Sequence, residues 1–174
     1  MNQALLSSSM REWCTPKAFF KELDAEFNFT LDAAASMENA LCANYFREDN
    51  RFMHPRSAFM NPWNPETGAV FCNPPYGRGV RSWVAKAYSE AKEHGKTIVM
   101  LIPARTDTSY FHDYIYHYAE IRFIRGRLRF TDSQGNEYGP APFPSMVVIY
   151  NYSPSKAAAN LGHYFAEGLA EGQR

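Results

Sequence analysis

Thr97–Pro103, TIVMLIP, is a run of seven residues without a charge. Bounded by Gly95 on one side and the polar ARTDT on the other, such a run marks a strand covered on both faces. AVFCN (Ala69–Asn73) and SMVVIYN (Ser145–Asn151) have the same character. Helical patterns alternate with them. In VRSWVAKAYSEAKEHG, Val80, Trp83, Val84, Ala87 and Ala91 form an apolar stripe, and Gly95 supplies a stop. KAFFKELDAEF places Phe19, Phe20, Leu23 and Phe27 at helical spacing, and Thr15-Pro16 before it reads as a capped start. Strands alternating with helices predict an α/β fold around a largely parallel sheet, which binds ligands beyond the carboxyl ends of its strands.

The remaining segments complete that outline. FTLD (Phe29–Asp32) is a short strand ending in a carboxylate, and AAASMENALCANYF has room for one or two helical turns. Asn50 to Gly68, with Pro55, Pro62 and Pro65, is expected to be a long surface loop. Asp107 to Ala119 reads as a helix, IRFI as a strand, Thr131 to Pro144 as a Gly- and Pro-rich loop. The expected organisation is a tail over 1–12, one domain over 13–152 and a second tail over 153–174 that could form a last helix.

Composition excludes several classes. Of 174 residues, 45% are hydrophobic and 16% aromatic, too many for a disordered chain. No apolar run approaches the roughly 20 residues that span a bilayer, and MNQALLSSSM lacks the basic start and apolar stretch of a signal peptide. Cys14, Cys42 and Cys72 form no CxxC pair and read as thiols of a cytoplasmic protein. The five histidines show no metal-ligand spacing, so no metal is expected.

Eighteen basic and eighteen acidic residues cancel, but the basic ones cluster. Arg122, Arg125, Arg127 and Arg129 fall within IRFIRGRLRF. On a strand the last three would share one face, above Leu128 and Phe130 on the other. Such a row suits phosphate contact; a solvated face with acidic neighbours is the alternative.

The sharpest signal is Asn73-Pro74-Pro75-Tyr76, after the buried strand AVFC and before a helix. A given tetrapeptide arises by chance in a chain of this length about once in a thousand. Its residues suit the activation of an exocyclic amine, whose lone pair is delocalised into an aromatic ring. Two acceptors that take the amine's two hydrogens pull the nitrogen toward tetrahedral geometry and localise that pair. The Asn73 side-chain oxygen supplies one acceptor and the Pro74 carbonyl can supply the other. Two consecutive prolines stiffen the backbone that aims them. Tyr76 offers a face for a planar base.

This tetrapeptide is the catalytic motif of S-adenosylmethionine-dependent amino-methyltransferases. The chain resembles the small phage-type, Dam-like DNA N6-adenine methyltransferases from Trp13 to about Tyr152. WCTPKAFFKELDAEFNFTLDAAAS, ENALCANYF, VFCNPPYGRG, VMLIPARTDTSYFH, IRFIRGRLRF and APFPSMVVIYN occur in the family's order. The resemblance implies a single-domain, Rossmann-like methyltransferase fold, a mostly parallel sheet with helices on both faces. It implies that Asn73, Pro74, Pro75 and Tyr76 are the catalytic loop and that S-adenosylmethionine is the cofactor. Cofactor contacts implied by the resemblance are Trp13, Thr15, Pro16, Asp32, Ala33, Ala34, Asp49 and Asn73. Thr15-Pro16 is equally explained as a helix cap, and Asp49, in FREDN, as a solvated loop acid in place of a ribose ligand. The FxGxG-type loop that often follows the first strand is absent; the chain reads LDAAAS.

With duplex DNA as partner, adenine must be flipped out of the stack, and Arg78, Arg81, Arg105, Arg125, Arg127 and Arg129 are the expected phosphate contacts. Structural ion pairs would explain any one of these arginines equally well. Little chain remains after Tyr76 for a recognition domain, so sequence reading would fall to the loops 50–68 and 131–144 or to a second subunit. The same chemistry on another amine (RNA adenine, cytosine N4 or a protein glutamine amide) is an alternative, and the tetrapeptide, which serves glutamine methylation in other families, does not separate them. A DNA-binding relative without catalysis is a further alternative. Oligomeric state and recognition sequence are not legible.

Overall fold

The computed structural model describes residues 12–47 and 57–151. Helix α1 spans Lys17–Phe27, strand β1 Phe29–Ala35 and strand β2 Asn44–Arg47. Strand β3 (Ala69–Cys72) leads to helix α2 (Val80–His94), and strand β4 (Thr97–Pro103) to the short helix α3 (Ser109–Tyr114). Strands β5 (Glu120–Phe123) and β6 (Ser145–Asn151) complete a six-stranded sheet of order β2-β1-β3-β4-β6-β5. The pairs β1–β2, β1–β3 and β3–β4 are parallel, and β6 alone runs against its neighbours β4 and β5. This is an α/β architecture with a mostly parallel sheet, consistent with a Rossmann-like fold.

From β1 the chain steps outward to β2, then returns to pair β3 on the other side of β1. The connections therefore diverge at the carboxyl ends of β1 and β3, which is where a parallel sheet opens a ligand crevice. Asp32 and Phe71 are register partners there, so Ala33–Ala35 and Asn73 are the residues that emerge at the divergence.

Two apolar clusters hold the strands. Phe20 and Leu23 of α1 pack with Phe29, Ala69, Phe71, Val99 and Leu101, and the Phe20 ring meets Phe29 at 5.4 Å and Phe71 at 5.2 Å. The α2 stripe of Val80, Trp83, Val84, Ala87 and Ala91 packs with Leu31, Val70, Cys72, Ile98 and Met100. Successive β3 residues thus alternate between clusters, as side chains of a strand must. Asn73, next in that alternation, belongs on the α1 side.

Several expected segments differ. β1 runs three residues beyond FTLD, through Ala33–Ala35, and the predicted helical turns after it are a turn followed by β2. Alanine favours helix, but these side chains are buried in the sheet, and burial outweighs an intrinsic preference of under about 1 kcal/mol. The helix expected over 107–119 is only Ser109–Tyr114. The strand ends at Phe123, and Gly126 beyond it sits at φ +81°, so Arg125, Arg127 and Arg129 do not lie on a regular strand. Within the expected surface loop, residues 50–56 lie outside the described residues and Trp63 is fully buried. Its backbone N–H donates to the buried Glu90 carboxylate at 2.7 Å and its indole to the Ala58 carbonyl at 2.9 Å. The 153–174 tail also lies outside the described residues.

Asp32 is a buried acid inside β1. Its carboxylate oxygens accept the backbone N–H groups of Ala34 at 3.3 Å and Leu41 at 3.2 Å, which folds the 36–43 segment back over the strand end. Burial pushes its carboxyl up to about 6.

Gly68 and Asp32 each carry an expected effect on stability. Gly68 precedes β3 at φ +72°, and a Cβ there would stand 2.4 Å from the Asn28 carbonyl oxygen. Gly68→Ala should lower unfolding free energy by about 2 kcal/mol or more in urea titration. For Asp32, the folded state keeps a proton that the unfolded chain releases near pH 4, so its stabilising contribution falls as pH rises from about 4 through about 6 and then levels. Against Asp32→Asn, the wild type should lose up to about 3 kcal/mol of relative stability across that window.

Candidate active site

Asn73 follows β3 directly, at the divergence of the sheet connections. Its Nδ2 donates to the Trp13 carbonyl at 2.6 Å and to Thr15 Oγ1 at 3.0 Å. Its Oδ1 is buried and has no hydrogen-bond partner among the described residues. Leaving such an atom unmet costs about 1–3 kcal/mol.

Pro74 is buried and Pro75 exposed. Tyr76 turns inward: its hydroxyl donates to the Leu101 carbonyl at 3.3 Å, and burial raises that phenol well above its ordinary value. The ring meets Phe143 at 5.4 Å and Phe130 at 5.9 Å, both edge-on, and stays partly exposed. Trp13 packs edge-on against the same two rings, at 5.5 Å from Phe130 and 5.3 Å from Phe143, and against Tyr138. An aromatic floor therefore runs from Trp13 under the 73–76 turn. Phe143 and Phe130 were not among the expected site residues. Phe143 sits in a proline-flanked loop with no periodicity to expose it; the contiguous aromatic-bearing APFP was the only signal.

The backbone strip 13–15 is tied across the molecule. Cys14 and Thr131 exchange both backbone hydrogen bonds at 3.0 Å. Thr15 makes no side-chain cap to α1, whose N-cap position is Pro16; its hydroxyl goes to Asn73. Thr15, expected either to cap the helix or to touch the cofactor, is thus not a cap. Trp13, Thr15, Asn73, Pro74 and Tyr76 are brought together in one cluster.

Asp32, Ala33 and Ala34 line the end of β1, all buried, with relative exposures of 3%, 0% and 7%. Ala33–Ala35 offer nothing longer than a methyl group. The segment after them is held by Asn39, which accepts the Ser36 N–H at 2.6 Å. Burial, with Asp32 and Asp24 nearby, pushes the Cys42 thiol up to about 12, which removes it as a nucleophile near neutrality. Asp49 lies outside the described residues. A cavity of about 350 Å³ opens elsewhere, between β2 and residues 62–65, and shares no lining residue with the Asn73 cluster.

The arginines divide into two kinds. Arg81 donates to Ser109 at 2.7 Å, pairs with Asp113 at 2.9 Å and lies over the Tyr114 ring. Arg122 is held by Glu26 and Glu120 and lies over Phe27. These two tie elements together. Arg78, Arg105, Arg125, Arg127 and Arg129 are exposed. The last three follow β5 on the segment that delivers Phe130 to the aromatic floor. Among the described residues no group of three or more His, Cys, Asp or Glu could hold a metal ion, and no helix is long and apolar enough to cross a membrane.

Known proteins resemble this chain along most of its length. The DNA N-6-adenine-methyltransferase of Escherichia phage T1 is 34% identical over 127 residues, covering 72% of this chain and 49% of that protein. The DNA N-6-adenine-methyltransferase of Haemophilus phage HP1 is 27% identical over 144 residues, covering 79% of this chain and 77% of that protein. The chain thus spans about half the length of the first and three quarters of the second. The family described as DNA N-6-adenine-methyltransferase (Dam) matches residues 3–160. By that match, which takes in nearly the whole chain, the protein belongs to the DNA N-6-adenine-methyltransferase family.

Proposed function

We propose that this protein transfers a methyl group from S-adenosylmethionine to the N6 amine of an adenine flipped out of double-stranded DNA. The observation that carries the reading is Asn73 Oδ1, a buried acceptor without a partner among the described residues, at the divergence of β1 and β3. The names of the two phage relatives agree with it.

In this reading Asn73 Oδ1 accepts one amine hydrogen and the Pro74 carbonyl the other. Together they concentrate the lone pair on N6 and orient it, so that catalysis rests on positioning and electrostatics. Tyr76, braced by Phe130 and Phe143, gives the extruded base a surface to lie on. The residues present are compatible with the methyl donor: the side chains at the end of β1 are small, and Asn73 Oδ1 at the neighbouring end of β3 is an acceptor without a partner among the described residues. Ala33, Ala34, Asp32, Thr15, Pro16 and Trp13 would surround it, with Asp49 toward its ribose. When bound, it supplies a methyl group on a sulfonium, electrophilic without further activation. The aromatic floor excludes water from the amine.

Arg78, Arg105, Arg125, Arg127 and Arg129 would meet phosphates, and such contacts offset the few kcal/mol that flipping costs. Arg81, held by Asp113, reaches a phosphate only if that pair opens. We further infer one domain over 13–152 with helices on both sheet faces. The division of strand residues between an α1 cluster and an α2 cluster supports it. The place of action would be the cytoplasm of a bacterial host.

Purified protein incubated with labelled S-adenosylmethionine and unmethylated duplex DNA should leave its label in N6-methyladenine after nucleoside digestion. Label confined to cytosine, RNA or protein would overturn the reading. Asn73→Ala should cut the methylation rate by roughly 100-fold or more while duplex affinity changes little. Replacing Arg125, Arg127 and Arg129 together with Gln should weaken duplex binding and flatten its salt dependence, by roughly 0.9 in log–log slope for each phosphate no longer neutralised.

A further inference from the structure

An asparagine amide has two nearly indistinguishable ends, and only its partners decide which way it faces. At Asn73 the decision is made by the Trp13 carbonyl, 2.6 Å from the amide nitrogen. A carbonyl only accepts. Turned over, the amide would set two oxygens against each other in a buried setting and forfeit a hydrogen bond. Thr15 Oγ1, at 3.0 Å, takes the second amide hydrogen. Thr15 is itself buried at 5% exposure, and the paired backbone of Cys14 and Thr131 fixes the strip from which both acceptors come.

We propose that Thr15 is a positioning residue: with the Trp13 carbonyl, its hydroxyl holds both hydrogens of the Asn73 amide and so presents Oδ1 to the substrate amine. The proposal rests on the reading of Asn73 given above and adds a role for Thr15 distinct from contact with the methyl donor. Its effect is geometric and electronic. Two acceptors on the amide nitrogen keep Oδ1 aimed into the crevice and draw electron density toward that oxygen, which strengthens it as an acceptor. Thr15 therefore acts on the chemical step through Asn73, in addition to its place beside the methyl donor.

Thr15→Val keeps the shape and one methyl group while removing the acceptor; Thr15→Ser keeps the hydroxyl. Three readouts separate the possibilities: the single-turnover methylation rate on duplex DNA, the Kd for S-adenosylmethionine by calorimetry, and the hydrogen-exchange rate of the Asn73 side-chain amide by ¹⁵N NMR. The amide signal is assigned from its loss in Asn73→Asp. At saturating S-adenosylmethionine, Thr15→Val should slow methylation by roughly 10- to 100-fold, the loss of about one buried hydrogen bond. Its Asn73 amide should exchange about tenfold faster or more, in line with that broken bond. Thr15→Ser should restore both the rate and the protection. Should the valine variant fail to fold, Thr15→Ala carries the same comparison. Weakened S-adenosylmethionine binding with an unmoved Asn73 signal would overturn the proposal, as would an unchanged rate. If the wild type leaves no methyl group on DNA, the functional reading fails. The amide signal then decides the positioning role alone: dependence on Thr15 upholds it and independence ends it.

Discussion

The amide of Asn73 is where the molecule converges. It stands at the end of β3, yet both of its donor hydrogens reach residues far earlier in the chain, Trp13 and Thr15. The parallel sheet brings them together. Because β3 pairs β1 on one side and β4 on the other, its carboxyl end opens where the connections part. Because its residues alternate, Asn73 faces the side on which α1 and the strip before it lie. The aromatic floor then closes the underside. Each step depends on the previous one, and the final product is a single buried oxygen without a partner among the described residues.

That arrangement is paid for in stability. A buried acid at Asp32 and an unmet acceptor at Asn73 both oppose folding. The cores on either side of the sheet supply the opposing contribution. Fully buried Trp63, Phe71, Ile98, Met100, Leu101 and Ile102 are central residues of that interior. Both destabilising groups lie toward the carboxyl ends of the adjacent strands β1 and β3.

Where burial and periodicity agreed, the fold was open to reading. TIVMLIP, AVFC and SMVVIYN became β4, β3 and β6, and the stripe from Val80 to Ala91 became α2. Misreadings occurred where local preference and tertiary context disagree. Three alanines read as helix formers yet lie in β1, and an arginine-rich segment whose alternation looked like a strand leaves the sheet after Phe123, with a glycine at positive φ within it. In the site, the tetrapeptide stood out by its residue types. The orientation of its asparagine did not, since the deciding partner is a backbone carbonyl, a group every residue carries. Phe143 escaped for a similar reason: its position follows from the path of an irregular loop.

The bridge between Cys14 and Thr131 joins residues 117 apart in sequence. Contacts of such long separation close late, after the intervening chain has lost its freedom. On the ribosome, the strip that bears Trp13 and Thr15 emerges early and must wait until the segment around Thr131 has been made. Until then the strip that carries both acceptors of the Asn73 amide lacks its backbone partner. Assembly of the site is thus timed to near-completion of the sheet, as a property of topology alone.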